Sequence, residues 1–107
     1  MRLVPVLFAA LLLTACGGSD PIDDILALEG DVSNGETLFS SNCTSCHPAD
    51  GTEGTGPALN AVVPTLDDAS MATSIANGVG IMPVFSNALT NQEIADVMAY
   101  VRVTYDE

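Results

Sequence analysis

The chain has 107 residues, 14 of them acidic and two basic, for a formal net charge of -12 at pH 7. That length is one domain's worth. So few cations leave nothing to neutralise phosphates, which sets nucleic acid aside as a partner. The acids are spread over the chain rather than gathered in a tail, which reads as a solvated acidic surface. Such a surface steers toward partners with a basic docking face, although a saline habitat selects the same composition.

In chain order, Arg2 precedes an almost unbroken apolar run, Leu3 to Leu13. At ~1.5 Å per residue a helix of this length spans about 17 Å, short of the ~30 Å hydrocarbon core. It reads as a signal-peptide core, not a membrane span. The run closes on "LTAC" and "GGSD", which resembles the lipoprotein box of bacteria. The resemblance implies removal of residues 1–15, a diacylglyceryl group on the thiol of Cys16, and attachment on the periplasmic side of a membrane. Gly17 is not the Asp that signals inner-membrane retention in some bacteria, so the inner and outer membranes both stay open. Residues 16–29 are rich in Gly, Ser, Asp and Pro and read as a lipidated, flexible tether. Within them "DDILAL" offers at most a turn of helix. Residues 30–107 form the domain.

Three helices are expected in that domain. The first runs from about Val32 to Ser41 with Asp31 as N-cap. The second runs from about Leu66 to Asn77, with Thr65 at the cap, Asp68 three residues on and Gly78 as the terminating residue. The third runs from about Asn91 to Val103. Its "TNQE" is a capping box, and Ile94, Val97, Met98 and Val101 follow at helical spacing. Pro48, Pro57, Pro64 and Pro83 fall between helices, and strand signals are absent. The fold class is therefore all-α with long ordered loops. About 75 residues built this way, without Trp, bury too little apolar area to be comfortably stable. Such a chain needs a staple or a large apolar body to fold around.

"CTSCH", Cys43 to His47, holds the chain's only His and two of its three Cys. A structural zinc site wants four ligands, and there is no fourth Cys and no second His. A thioredoxin-like pair wants a preceding strand. A Cys–His dyad leaves the first cysteine and the tight spacing unexplained. Covalent haem c uses all of it: Cys43 and Cys46 as thioethers and His47 as proximal iron ligand. It also supplies the missing core.

The wider stretch "GDVSNGETLFSSNCTSCH" resembles the opening of class I cytochromes c, and "EIADVMAYVR" resembles their C-terminal helix. The resemblance covers about Gly30 to Val103. It implies that fold, three main helices with long loops wrapped around one covalent haem. It implies that Gly35, flanked by Phe39, lets the first helix cross the third at Tyr100. It implies that the carbonyl of Pro57, in "GPAL", accepts from the free nitrogen of His47. In "NGVGIMPVF" it implies Met82 as the sixth ligand, with Met71 and Met98 as packing. The basic rim found around the haem edge in mitochondrial members is missing here.

The function implied is a membrane-tethered, single-haem carrier of electrons between redox protein partners, not an enzyme. Two alternatives stand beside it. One is a ligand sensor or peroxidase-like site, should Met82 leave the iron. The other is a haem-free lipoprotein with a Cys43–Cys46 disulfide or a metal.

Overall fold

A computed structural model describes residues 20–106. Among these residues there is no strand. Helix α1 is Pro21–Leu26, α2 is Val32–Asn42, α3 is Leu59–Val62, α4 is Asp68–Asn77 and α5 is Asn91–Tyr105. Helix α3 continues into a 3₁₀ turn, Val63–Thr65, and a second 3₁₀ turn, Phe85–Asn87, precedes α5. The all-α expectation holds among the described residues, and each of the three main helices lies within two residues of its expected bounds. The signal segment and Cys16 lie outside the described residues.

The flexible-tether expectation gives way over residues 20–29. Asp20 caps α1 by accepting from the Ile22 amide at 2.9 Å, and Pro21 opens the helix, where its missing N–H costs nothing. Ile25 is 2% exposed and belongs to the main core, and α1 packs on α4 and α5. Burying that one side chain is worth about 2–3 kcal/mol, enough to dock a six-residue helix that would not form alone. Among the described residues the packed body therefore extends N-terminally past Gly30 to include α1.

The start of α4 also differs from expectation. Leu66 is extended (φ -98°, ψ 135°), so the chain turns there and a helix cannot run through it. Asp67, not Thr65, is the cap, and its carboxylate accepts from the Ser70 amide at 2.7 Å. Thr65 closes the preceding turn, its hydroxyl donating to the Val62 carbonyl at 2.7 Å. Gly78 ends α4 at φ 79°, a conformation that favours glycine.

Helix α5 has the expected capping box. The Thr90 amide donates to Glu93 Oε1 at 2.9 Å, and the Glu93 amide donates to Thr90 Oγ1 at 3.1 Å. It runs two residues further than expected because Tyr105 is buried. The Tyr105 hydroxyl donates to the Ala49 carbonyl at 2.7 Å, tying the helix end to the loop after the CTSCH turn.

Helices α2 and α5 cross in direct backbone contact. A Cβ at Gly35 would collide with the Asp96 carbonyl oxygen and sit 2.9 Å from the Tyr100 Cβ. Gly30 makes a second close approach, to the Ala95 carbonyl. Asp96 locks the crossing. It is buried on α5 and accepts from the Asp31 amide at 2.8 Å, Asn34 Nδ2 at 2.8 Å and Gln92 Nε2 at 2.9 Å. Burial alone pushes this carboxyl up. The Asn34, Asp31 and Gln92 donors outweigh burial and hold it below the ordinary carboxylate value.

Candidate haem site

The CTSCH turn grows directly out of α2. Cys43 caps the helix, its amide donating to the Phe39 carbonyl at 2.9 Å. The Cys43 carbonyl then accepts from the Cys46 amide at 3.2 Å and the His47 amide at 2.9 Å. This tight turn brings both thiols and the imidazole to one cavity of about 530 Å³. Burial, reinforced by the neighbouring Cys46, pushes the Cys43 thiol up to about 11, so it stays neutral in an apolar wall. No disulfide joins Cys43 to Cys46.

The loop after His47 folds back over it. The Gly56 amide donates to the Cys46 carbonyl at 2.9 Å, which sets Pro57 beside the ring. His47 Nδ1 lies 3.3 Å from the Pro57 carbonyl oxygen. A carbonyl only accepts, so the ring nitrogen that faces it is the one that carries a proton. Gly56 makes room for this: a Cβ there would lie 2.5 Å from His47 Cε1. In the sequence Gly56 is marked only by its place just before Pro57.

Met82 lines the same cavity from the loop between α4 and the second 3₁₀ turn. Its amide donates to the Val79 carbonyl at 2.9 Å, and Gly80 turns the chain at φ 60°. Met71 reaches the cavity as well, from α4, whereas Met98 lines a groove beside α1. Phe39 forms part of the cavity wall. Its ring centroid is 5.3 Å from Tyr100 and 5.8 Å from Tyr105, an aromatic cluster that joins the wall to the helix crossing. Cys16 is not among the described residues.

The cavity lining contains no Asp, Glu, Lys or Arg, in a chain with 14 acids. Pockets of a few hundred Å³ with apolar walls and a few convergent donors suit cofactors. The donors here are two thiols, an imidazole and two thioethers, Met71 and Met82, which include the set that haem c uses. Among the described residues no three His, Cys, Asp or Glu side chains converge to hold a bare metal ion, which leaves the zinc reading without ligands.

Comparison with known proteins agrees. The family described as "Cytochrome C oxidase, cbb3-type, subunit III" matches residues 30–101. Cytochrome c6 of Gloeothece citriformis is 33% identical over 105 residues, covering 94% of this chain and 91% of that protein. The structure of cytochrome c6 from the diatom Phaeodactylum tricornutum superposes with a TM-score of 0.61 at 33% identity, covering 72% of this chain and 97% of that one. Cytochrome cL from the methylotroph Methylophaga aminisulfidivorans gives a TM-score of 0.64 at 25% identity over 84% of this chain and 71% of that one. The chain belongs to the class I c-type cytochromes, electron carriers with one covalent haem c, and its Cys43, Cys46 and His47 fit that family's Cys-x-x-Cys-His motif.

Proposed function

We propose that this cytochrome is a lipid-anchored carrier on the periplasmic side of a bacterial membrane, with Cys43 and Cys46 as thioether positions and His47 and Met82 as axial ligands. The observation that carries the reading is the single uncharged cavity lined by all four side chains. Bound there, haem supplies a one-electron couple, and two side-chain ligands leave no open position for bond chemistry. The Pro57 carbonyl keeps the Nδ1 proton of His47 in place and so leaves Nε2 free to ligate. The neutral thioether of Met82 favours the reduced state and raises the potential. The apolar walls keep water away from the site.

The partner surface follows from charge. No charged residue lies between Asp68 and Glu93, the stretch that carries the Met82 loop. Val79 and Ile81 at the cavity mouth are 62% and 79% exposed. This uncharged rim is the face for electron exchange, and the acidic remainder draws in redox partners with basic docking faces.

Cys16 is the anchor by its likeness to the lipoprotein box. Asp20 caps the packed helix α1, so the four chain steps that separate it from Cys16 reach at most about 14 Å. The haem domain is thereby held close to the bilayer, at high effective concentration for membrane complexes. Among the described residues no helix is long and apolar enough to cross a membrane.

Cell fractionation tests the anchor. Cys16→Ser moves the protein from membranes to the soluble periplasm with its haem intact, and continued membrane attachment of the variant refutes the lipid. Salt dependence tests the docking. Oxidation by a cationic small-molecule acceptor slows as ionic strength rises, and a rate that climbs with salt refutes steering by the acidic surface.

A further inference from the structure

We propose that Arg102 is a positioning residue that fixes one wall of the haem cavity. It is the only Lys or Arg among the described residues, and its side chain is 23% exposed. A lone cation in so acidic a chain would ordinarily face solvent or a partner. Here it is turned inward. Nη1 donates to the Val63 carbonyl at 2.9 Å and Nη2 to the Leu66 carbonyl at 2.5 Å. Nε donates to Asp68 Oδ1 at 3.0 Å. Asp106 Oδ2 lies 3.5 Å from Nη1.

These partners define a junction. Val63 and Leu66 bracket the 3₁₀ turn that continues α3, and both line the haem cavity. Asp68 is the first residue of α4, whose Met71, Ser74 and Ile75 continue the wall. Arg102 itself follows Val101, which lines the cavity from α5. One guanidinium thus joins the end of one wall segment, the start of the next and the helix opposite. Pro64 has no N–H to give; the turn is tied by the Val63 amide to the Leu59 carbonyl, the Leu66 amide to the Val63 carbonyl at 3.1 Å and the Thr65 hydroxyl. A fork of donors across two carbonyls and a carboxylate is geometry that Arg has and Lys lacks. A cation at these carbonyls also complements the negative end of the α3 segment. The apolar shell around a metal sets its solvent access and hence its potential, so a loosened 62–66 wall would alter the haem.

The test uses the full haem-loaded protein with Arg102→Met, Arg102→Lys and Asp68→Asn, and reads local amide exchange and reduction potential. In Arg102→Met and Arg102→Lys, exchange of the Leu66 amide accelerates about tenfold, the size of one lost charge-assisted hydrogen bond. Amides in the middle of α5 stay protected, and the potential falls in both variants as water gains access. Asp68→Asn keeps both carbonyl bonds and an oxygen that accepts from Nε, losing only the charge, and leaves exchange and potential near wild type. Arg102→Lys keeps the charge and the aliphatic stem, so it reports even if Arg102→Met does not fold. Wild-type exchange and potential in Arg102→Lys overturn the proposal, because charge alone then suffices. Unchanged Leu66 exchange in Arg102→Met overturns it as well. A faster Leu66 exchange with an unmoved potential shows a surface tie without influence on the haem, and refutes the positioning role while leaving the electron-carrier reading intact.

Discussion

Helix α5 is packed on two different terms along its length. At its crossing with α2 it meets another main chain almost without side chains between, through Gly30 and Gly35, and Asp96 ties the two segments together. On the side of Val97 and Val101 it faces a cavity of about 530 Å³. The first contact is complete with the protein's own atoms. The second is a set of apolar walls that meet only around a cofactor. The chain can specify the crossing by itself, whereas the cavity side depends on haem for its interior.

The largest test of this contrast removes the cofactor. Cys43→Ala with Cys46→Ala should lose haem and, with it, most of the helical signal and the cooperative melt. A double variant that stays compact and helical would show that the cavity walls pack without haem. A smaller test breaks the crossing and leaves the haem attached. In Gly35→Val the new side chain has no room beside the Asp96 carbonyl. The expected cost is about 3 kcal/mol, a drop in Tm of roughly 15 °C for a domain this size. An unshifted melt would mean that the helices separate at little cost.

Asp96 gives a still smaller effect with its own pH signature. Its carboxyl is buried, which raises it, yet its donors hold it below the ordinary value. A carboxylate depressed in the folded state stabilises fully above its unfolded pKa, about 3.9, and the contribution is lost as pH falls through the folded value. Asp96→Asn should therefore cost about 2 kcal/mol at pH 7, and the gap from wild type should close as pH drops below about 4. A gap that stays constant down to acid pH would mean that the charge contributes nothing.

Much of this was legible in the sequence because local rules decided it. The Thr90–Glu93 box and the apolar stripe of α5 placed that helix, Asp31 placed the start of α2, and the CTSCH turn marked the cavity. The errors lie where tertiary contacts decide. One buried side chain, Ile25, converts a Gly- and Asp-rich segment into a docked helix. A single extended residue, Leu66, moves the cap of α4 from Thr65 to Asp67. Arg102 showed only as a charge at the end of a helix, because its partners are carbonyls 36 and 39 residues away and carbonyls leave no mark in a sequence. Asp96 did leave one: an acid among Ile94, Ala95, Val97 and Met98 on a buried stripe requires partners.

The methionines separate ligand from wall with the smallest effects on stability. Met82→Ala should lower the reduction potential, since a harder ligand such as water favours ferric iron. Met71→Leu and Met98→Leu should leave the potential in place and cost under ~1.5 kcal/mol each. Met71 also lines the cavity, so the comparison is a sharp one. A fall in potential in Met71→Leu, with none in Met82→Ala, would move the ligand from the loop to α4.

Carbon monoxide tests most directly the proposal that His47 and Met82 close both faces of a haem in this cavity. Added to the ferrous wild-type protein at neutral pH, it should leave the absorption spectrum unchanged, while the ferrous Met82→Ala variant should bind it readily. Fast, complete binding by the wild type would contradict the account: the distal position would be open, and the protein would be a ligand-binding haem protein, not a dedicated electron carrier.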